Sequence, residues 1–213
     1  MKFCVIGLGR FGYQLAVTLA ENGMEVMAVD SNESIVASIK DKVTHAICIQ
    51  ITDEESLSTI GVEQMDTVIV AMGESFAPTI LITALLKKRL KVPYVIARAI
   101  NDIHKEILTL IGADRIILPE KEIGIKLADS LSSPFTDLVR LTKNFSISQV
   151  IAPEKFVGKT IGQLDLFNNY QVHCIGVKKN EKITSVDNDY VVTKGDRLIF
   201  SGSNDKLEAI AKL

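Results

Sequence analysis

A glycine-patterned turn, Gly7-Leu8-Gly9-Arg10-Phe11-Gly12, leaves the start of this chain few ways to fold. It follows the apolar run Phe3-Cys4-Val5-Ile6 and opens a helical pattern over 11–22. The next apolar run, Val26-Met27-Ala28-Val29, ends at Asp30. That is about 20 residues downstream, where the strand–turn–helix–strand unit that holds dinucleotides carries an acid. Gly7 permits the tight turn, Gly9 lets backbone approach a phosphate, and Gly12 lets the helix pack closely on the sheet. The helix N-terminus then offers free N–H groups and partial positive charge to an anion. Asp30 accepts hydrogen bonds from ribose hydroxyls in such a unit. Together these features imply an adenine-nucleotide site.

Arg10 is the odd residue in this pattern. A cation in the first turn of a helix faces the unfavourable pole of the dipole, at about 0.3–1 kcal/mol when exposed. It reads either as a solvated surface arginine or as the partner of additional negative charge. A terminal phosphate, absent from a nicotinamide dinucleotide, suits a bidentate guanidinium. Arg10 therefore tilts the expectation toward ADP or ATP.

Strand-like runs recur at 3–6, 25–29, 45–49, 67–71, 94–97 and 115–118, alternating with helical patterns at 11–22, 34–41, 54–60, 78–90 and 103–111. Alternation of this kind implies an α/β fold: a Rossmann-like, doubly wound parallel sheet of six strands. Ligands on such sheets bind at the carboxyl ends of the strands, so Gly7, Asp30, Ala71, Arg98 and Glu120 converge on one crevice. A further amphipathic helix begins at Pro119 and carries Ile123, Leu127 and Leu131 on one stripe, suited to a partner subunit. After Ser132-Ser133-Pro134 the pattern changes, with strands expected at 145–152, 172–177, 182–185 and 197–201 and a terminal helix capped by Ser203. The expected domains are 1–133, a connecting helix over 134–142, and a small α+β domain over 143–213. Cys4, Cys48 and Cys174 sit in apolar runs and read as buried free thiols without metal-ligand spacing.

With both halves laid out, the chain resembles the regulator-of-potassium-conductance (RCK) family, as found in cytosolic subunits of Ktr/Trk potassium-uptake systems. The resemblance rests on Ile6 to Gly12, on Ala28-Val29-Asp30-Ser31-Asn32, and on Ile111-Gly112-Ala113-Asp114-Arg115-Ile116-Ile117-Leu118-Pro119-Glu120-Lys121. Lys194-Gly195-Asp196-Arg197-Leu198-Ile199-Phe200 is typical of the family's C-terminal domain. One N-plus-C pair resembles the KtrA-like type rather than tandem Trk pairs. The resemblance implies homodimers assembled into an octameric ring, docked on a separate integral-membrane potassium transporter and changing shape on ATP/ADP exchange. It assigns nucleotide contacts to Gly7, Gly9, Arg10, Phe11 and Gly12, with Arg10 at the γ-phosphate. Asp30 and Asn32 serve the ribose and adenine side, and Ala71, Arg98 and Glu120 complete the set. Arg98 falls where Ktr-type proteins often carry lysine. Glu120 is expected to hold a cation, Mg²⁺, Ca²⁺ or Na⁺, where two subunits meet; read alone, it is a carboxylate at a helix start. Several Ktr proteins bind cyclic di-AMP through this C-terminal domain. Phe167 stands in place of an expected arginine, and Val186 and Asn188 in place of prolines, which disfavours that ligand here.

Two other readings remain open. An NAD(H)-sensing Trk-like regulator also satisfies Asp30. A nicotinamide-dependent dehydrogenase needs an acid or base beside the nicotinamide. His45, His104 and His173 read as structural or surface residues, and Tyr190-Val191-Val192-Thr193-Lys194 spells Y-x-x-x-K in a β-branched, turn-forming context. A non-enzyme is therefore expected. Net charge of −2 argues against nucleic acid as a partner. With no leader pattern and no apolar run near the ~20 residues of a bilayer span, a cytoplasmic chain, peripheral to the membrane through its transporter, is expected.

Overall fold

Alternation inside short apolar runs builds the first sheet. In the computed structural model, which describes residues 1–73, 76–132, 137–179 and 182–213, six strands pair in parallel. These are β1 (Lys2–Ile6), β2 (Glu25–Asp30), β3 (His45–Cys48), β4 (Thr67–Val70), β5 (Tyr94–Arg98) and β6 (Arg115–Ile117), in the order β3-β2-β1-β4-β5-β6. Cys4, Ile6, Val68, Val70 and Val95 face one side and pack with Leu57, Ile82 and Leu86. Val5, Ala28 and Ile69 face the other and pack with Ala16, Val36 and Ile39. Both faces are thus covered, as a parallel sheet requires. The intervening helices are α1 (Arg10–Glu21), α2 (Glu33–Ile39), α3 (Glu54–Thr59), α4 (Phe76–Ala84) and α5 (Asp102–Ile111). The strand order reverses between β1 and β4, which puts the ligand crevice of such folds there.

The Gly-Ala-Asp-Arg block has a structural task. Gly112 ends α5 in the left-handed region at φ 99°, which glycine adopts without steric cost. Asp114 then accepts the Val95 N–H at 2.6 Å and the Lys87 ammonium at 2.8 Å. Lys87 sits in a π-helical turn, Leu85–Arg89, that continues α4.

The chain divides into two compact units, Met1–Lys121 and Glu122–Leu213, so the division falls before the expected boundary at 133. The helix α6 (Pro119–Ser132) starts in the first and carries the exposed stripe Ile123, Leu127 and Leu131. The second unit holds an antiparallel sheet, β10-β9-β11-β8-β7. Its strands are β7 (Asp137–Arg140), β8 (Phe145–Ile151), β9 (Val172–Lys179), β10 (Lys182–Thr184) and β11 (Arg197–Ser203). Helices α7 (Ile161–Leu164), α8 (Leu166–Tyr170) and α9 (Asn204–Ala211) complete it. Phe156, Val172, Leu198, Phe200, Leu207 and Ile210 form its core.

Several expectations are corrected. The connecting helix over 134–142 is replaced by strand β7, which pairs with β8 from Asp137↔Gln149 to Arg140↔Ser146. Residues 133–136 lie outside the described residues. The Thr142 hydroxyl accepts the N–H groups of Asn144 and Phe145 and closes a hairpin, so Lys143 lies in a turn inside the second unit. Ser203 precedes α9, but its side chain makes no capping bond. Of the thiols, Cys4 is buried, Cys174 half-buried and Cys48 exposed, because β3 is the edge strand. Burial pushes the Cys4 thiol up to about 12.

Asp196, almost wholly buried, anchors the second unit. It accepts the Tyr190 hydroxyl at 2.7 Å, the Thr193 N–H at 2.9 Å and the Thr193 hydroxyl at 2.8 Å, with Lys179 at 3.4 Å. Burial pushes its carboxyl up, but these donors and Lys179 outweigh that and hold it below the usual range. A depressed native value means stability present above the unfolded value of about 3.9 and lost as pH falls through the native one. Asp196→Asn is expected to cost about 2–3 kcal/mol at neutral pH. Thermal melts should show the gap to the parent protein narrowing at pH 3.

Candidate functional site

The carboxyl ends of β1 and β4 are drawn together by missing side chains. Gly7 adopts φ 93°, and a Cβ there would lie 2.8 Å from Met72 Cγ. A Cβ on Gly12 would lie 1.9 Å from the Gly7 carbonyl oxygen and 3.0 Å from Ala71 Cβ. Helix α1 therefore begins directly on the strand ends. Gly7 N–H donates to the Val29 carbonyl and Ala71 N–H to the Ile6 carbonyl, both at 2.8 Å. Asp30 clamps the turn from the next strand: one oxygen accepts the Leu8 N–H at 2.6 Å, the other the Asn32 N–H at 2.8 Å.

Gly9 occupies the N-cap of α1, and a Cβ there would meet nothing within 4 Å. No side chain caps this helix, and its first turn holds no acid. In contrast, Asn32, Asp53 and Asn101 cap α2, α3 and α5. The first-turn N–H groups of α1 are thus left to an outside acceptor. Arg10 stands exposed beside them. The set fits a phosphate: open backbone at Gly9, unspent N–H groups and a solvent-facing guanidinium.

Arg98, at the end of β5, reaches back across β4. Its guanidinium lies where a side chain on Gly73 would be: a Cβ there would sit 1.9 Å from Nη1. Its Cζ is 5.7 Å from the centre of the Phe11 ring. Nη2 pairs with the Glu120 carboxylate, while the buried Nε has no hydrogen-bond partner among the described residues. The Arg98 side chain is 15% exposed and that of Glu120 70%, so the pair is anchored from the arginine side.

Gly7, Gly9, Arg10, Phe11, Gly12, Asp30 and Arg98 thus gather around one loop, and Glu120 joins them through Arg98. Ala71 is buried behind Gly12 and makes room for the turn instead of presenting surface. The Asn32 oxygen is occupied in capping α2, accepting from the N–H groups of Ser34 and Ile35. Gly73 was not anticipated from sequence, although a small residue just beyond a fully apolar strand in a parallel sheet is the available signal. His104 is buried, accepts the Ile100 N–H at 3.3 Å and stacks on Phe76. Burial pushes its pKa down. His173 stacks on Phe167, and His45 is exposed at the start of β3. Tyr190 and Lys194 lie outside any helix, so the Y-x-x-x-K spacing does not bring them onto one helical face.

Residues 3–119 match the family model of the TrkA-N domain, and residues 147–213 that of the TrkA-C domain. The chain belongs to the TrkA-type RCK family. Among relatives of this TrkA-type chain, Ktr system potassium uptake protein C of Bacillus subtilis is 36% identical over 204 residues, covering 95% of this chain and 92% of the relative. Ktr system potassium uptake protein A of Vibrio alginolyticus is 33% identical, covering 97% and 94%. Among solved structures, the GsuK channel bound to NAD superposes with a TM-score of 0.67 at 19% identity. It covers all of this chain, which spans 39% of that one; the likeness is one of fold.

The two glycines differ in what a side chain would meet. Gly12→Ala is expected to lower stability by about 1–3 kcal/mol, the range for overpacking. Gly9→Ala should leave the melting temperature nearly unchanged, since its Cβ enters open space. Paired thermal melts check this contrast.

Proposed function

We propose that this chain is a cytosolic, nucleotide-binding gating subunit of a Ktr/Trk-type potassium transporter. The observation that carries the proposal is the uncapped, acid-free start of α1 with exposed Arg10 beside it. The pyrophosphate sits on the first-turn N–H groups of α1, over Gly9. Asp30 spends one lone pair of each oxygen on the turn and retains others for ribose hydroxyls. Asn32 keeps its amide donors for the adenine side. Arg10 reads the γ-phosphate, and Glu120 contributes to a cation, Mg²⁺, Ca²⁺ or Na⁺, at a subunit boundary.

A ligand shifts a two-state assembly only by its difference in affinity for the two states. ATP and ADP differ by one phosphate, so Arg10 and Glu120 are where the difference is read. The exposed stripe on α6 supports assembly of homodimers into an octameric ring, through which that difference reaches an integral-membrane potassium transporter. Among the described residues no helix is long and apolar enough to cross a membrane, in keeping with a separate transporter subunit. The names of the Ktr relatives support the same reading, and no catalytic step is assigned. Cyclic di-AMP is not proposed, because Phe167, stacked on His173, stands where the family resemblance leads one to expect an arginine.

A second reading, NAD(H) sensing, is favoured by Asp30, which serves any adenosine ribose, and by the NAD-bound structural relative. Calorimetric titration with ATP, ADP and NADH, with and without Mg²⁺, separates them. ATP binding that tightens with the cation is expected; a preference for NADH would select the second reading. Arg10→Ala should weaken ATP by roughly 10- to 100-fold, equivalent to about 1.5–3 kcal/mol, and leave ADP within about twofold. Equal losses for all three ligands would remove Arg10 from the γ-phosphate.

A further inference from the structure

We infer that Arg98 and Glu120 form a latch across the crevice, which the phosphate chain of a bound nucleotide has to open. The inference rests on the nucleotide-binding reading above and assigns a regulatory task to a contact inside that site.

The guanidinium is held by three elements. It lies against the backbone of Gly73 just beyond β4, over the ring of Phe11 in the first turn of α1, and on the carboxylate of Glu120 in the first turn of α6. Gly73 is the positioning residue, because any Cβ would occupy the guanidinium's place. Among the described residues the seat is only partly satisfied: Nη2 has its carboxylate, while buried Nε has no acceptor. Buried polar atoms without partners are uncommon and call for a reason. A cation that changes partners provides one, since its donors need not all be satisfied in one state.

The anion-accepting turn and this guanidinium share Phe11 and the ends of β1 and β4. A phosphate arriving there meets a positive charge already neutralised and a carboxylate of its own sign. It must draw Arg98 off Glu120, or share Arg98 while Glu120 stays close enough to repel it. Releasing Glu120 leaves an exposed carboxylate beside the phosphate, and a divalent cation bridging the two relieves that repulsion. Nucleotide and cation are thereby coupled through one arginine: without the cation, nucleotide binding bears the full cost of opening the latch.

The test titrates the full-length protein with ATP and ADP in chelator and again in Mg²⁺. Glu120→Gln removes the competing carboxylate charge. It should tighten cation-free ATP binding roughly fivefold, the scale of one partly exposed ion pair, and abolish the gain from Mg²⁺. In an Arg98→Gln background, where no latch can form and only the direct repulsion by Glu120 remains, that tightening should be clearly smaller. If Glu120 only repelled phosphate through space, the tightening would be as large there or larger, and the latch would be overturned. Unchanged or weaker cation-free binding by Glu120→Gln would also overturn it, with the nucleotide reading intact. If the parent protein bound none of ATP, ADP or NADH, both would fall. Glu120→Ala supplies the same test should the glutamine variant misfold. Loss of the fold in both would count against the latch, because a contact that opens on binding is not one the fold requires.

Discussion

Helix α1 can begin where it does only because Gly12 has no side chain. Its missing methyl group lets the helix backbone approach the Gly7 carbonyl and the side of Ala71. That approach sets the direction of the first turn and hence where its unpaired N–H groups, Arg10 and the Phe11 ring are placed. Arg98 depends on it in turn, since its guanidinium lies over that ring. Shifting α1 outward would disperse the charge and donors gathered at the crevice while leaving the hydrophobic core largely in place.

Three acids in the recognisable motifs share one kind of work. Asp30, Asp114 and Asp196 each accept backbone N–H groups at strand ends or turns, holding chain segments that side-chain packing alone would leave free to slide. The motifs that mark the family are thus largely instructions for folding. At the carboxyl ends of β1, β4 and β5 the cations are Arg10, which is exposed, and Arg98, which pairs with Glu120.

Legibility in the sequence followed the range of the interactions. The six parallel strands and the glycine turn were readable, because apolar runs, turn glycines and the Asp30 spacing are local signals. Strand β7 was not: Asp137-Leu138-Val139-Arg140 is too short for periodicity to separate strand from helix, and its pairing with β8 decides the matter. The short helices α7 and α8 were missed for the same reason, although Thr160 and Gln163 form a reciprocal cap on α7. At the site, the types and positions of Arg98 and Glu120 were readable, but not that they pair. That contact links the ends of two elements, and Gly73, which makes room for it, carries no charge or shape to announce itself.

The π-helical turn at Leu85–Arg89 sets the phase of the end of this helical segment. A wider turn of this kind accommodates one residue more than regular α-helical winding would. Deleting that residue would rotate everything beyond it by about 100°. The ammonium of Lys87 would swing away from Asp114, leaving that carboxylate to hold the Val95 N–H without its counter-charge. One supernumerary residue in a helix thus keeps a neighbouring strand electrostatically tied down, and a length change of a single residue there would be felt in the sheet before it was felt in the helix.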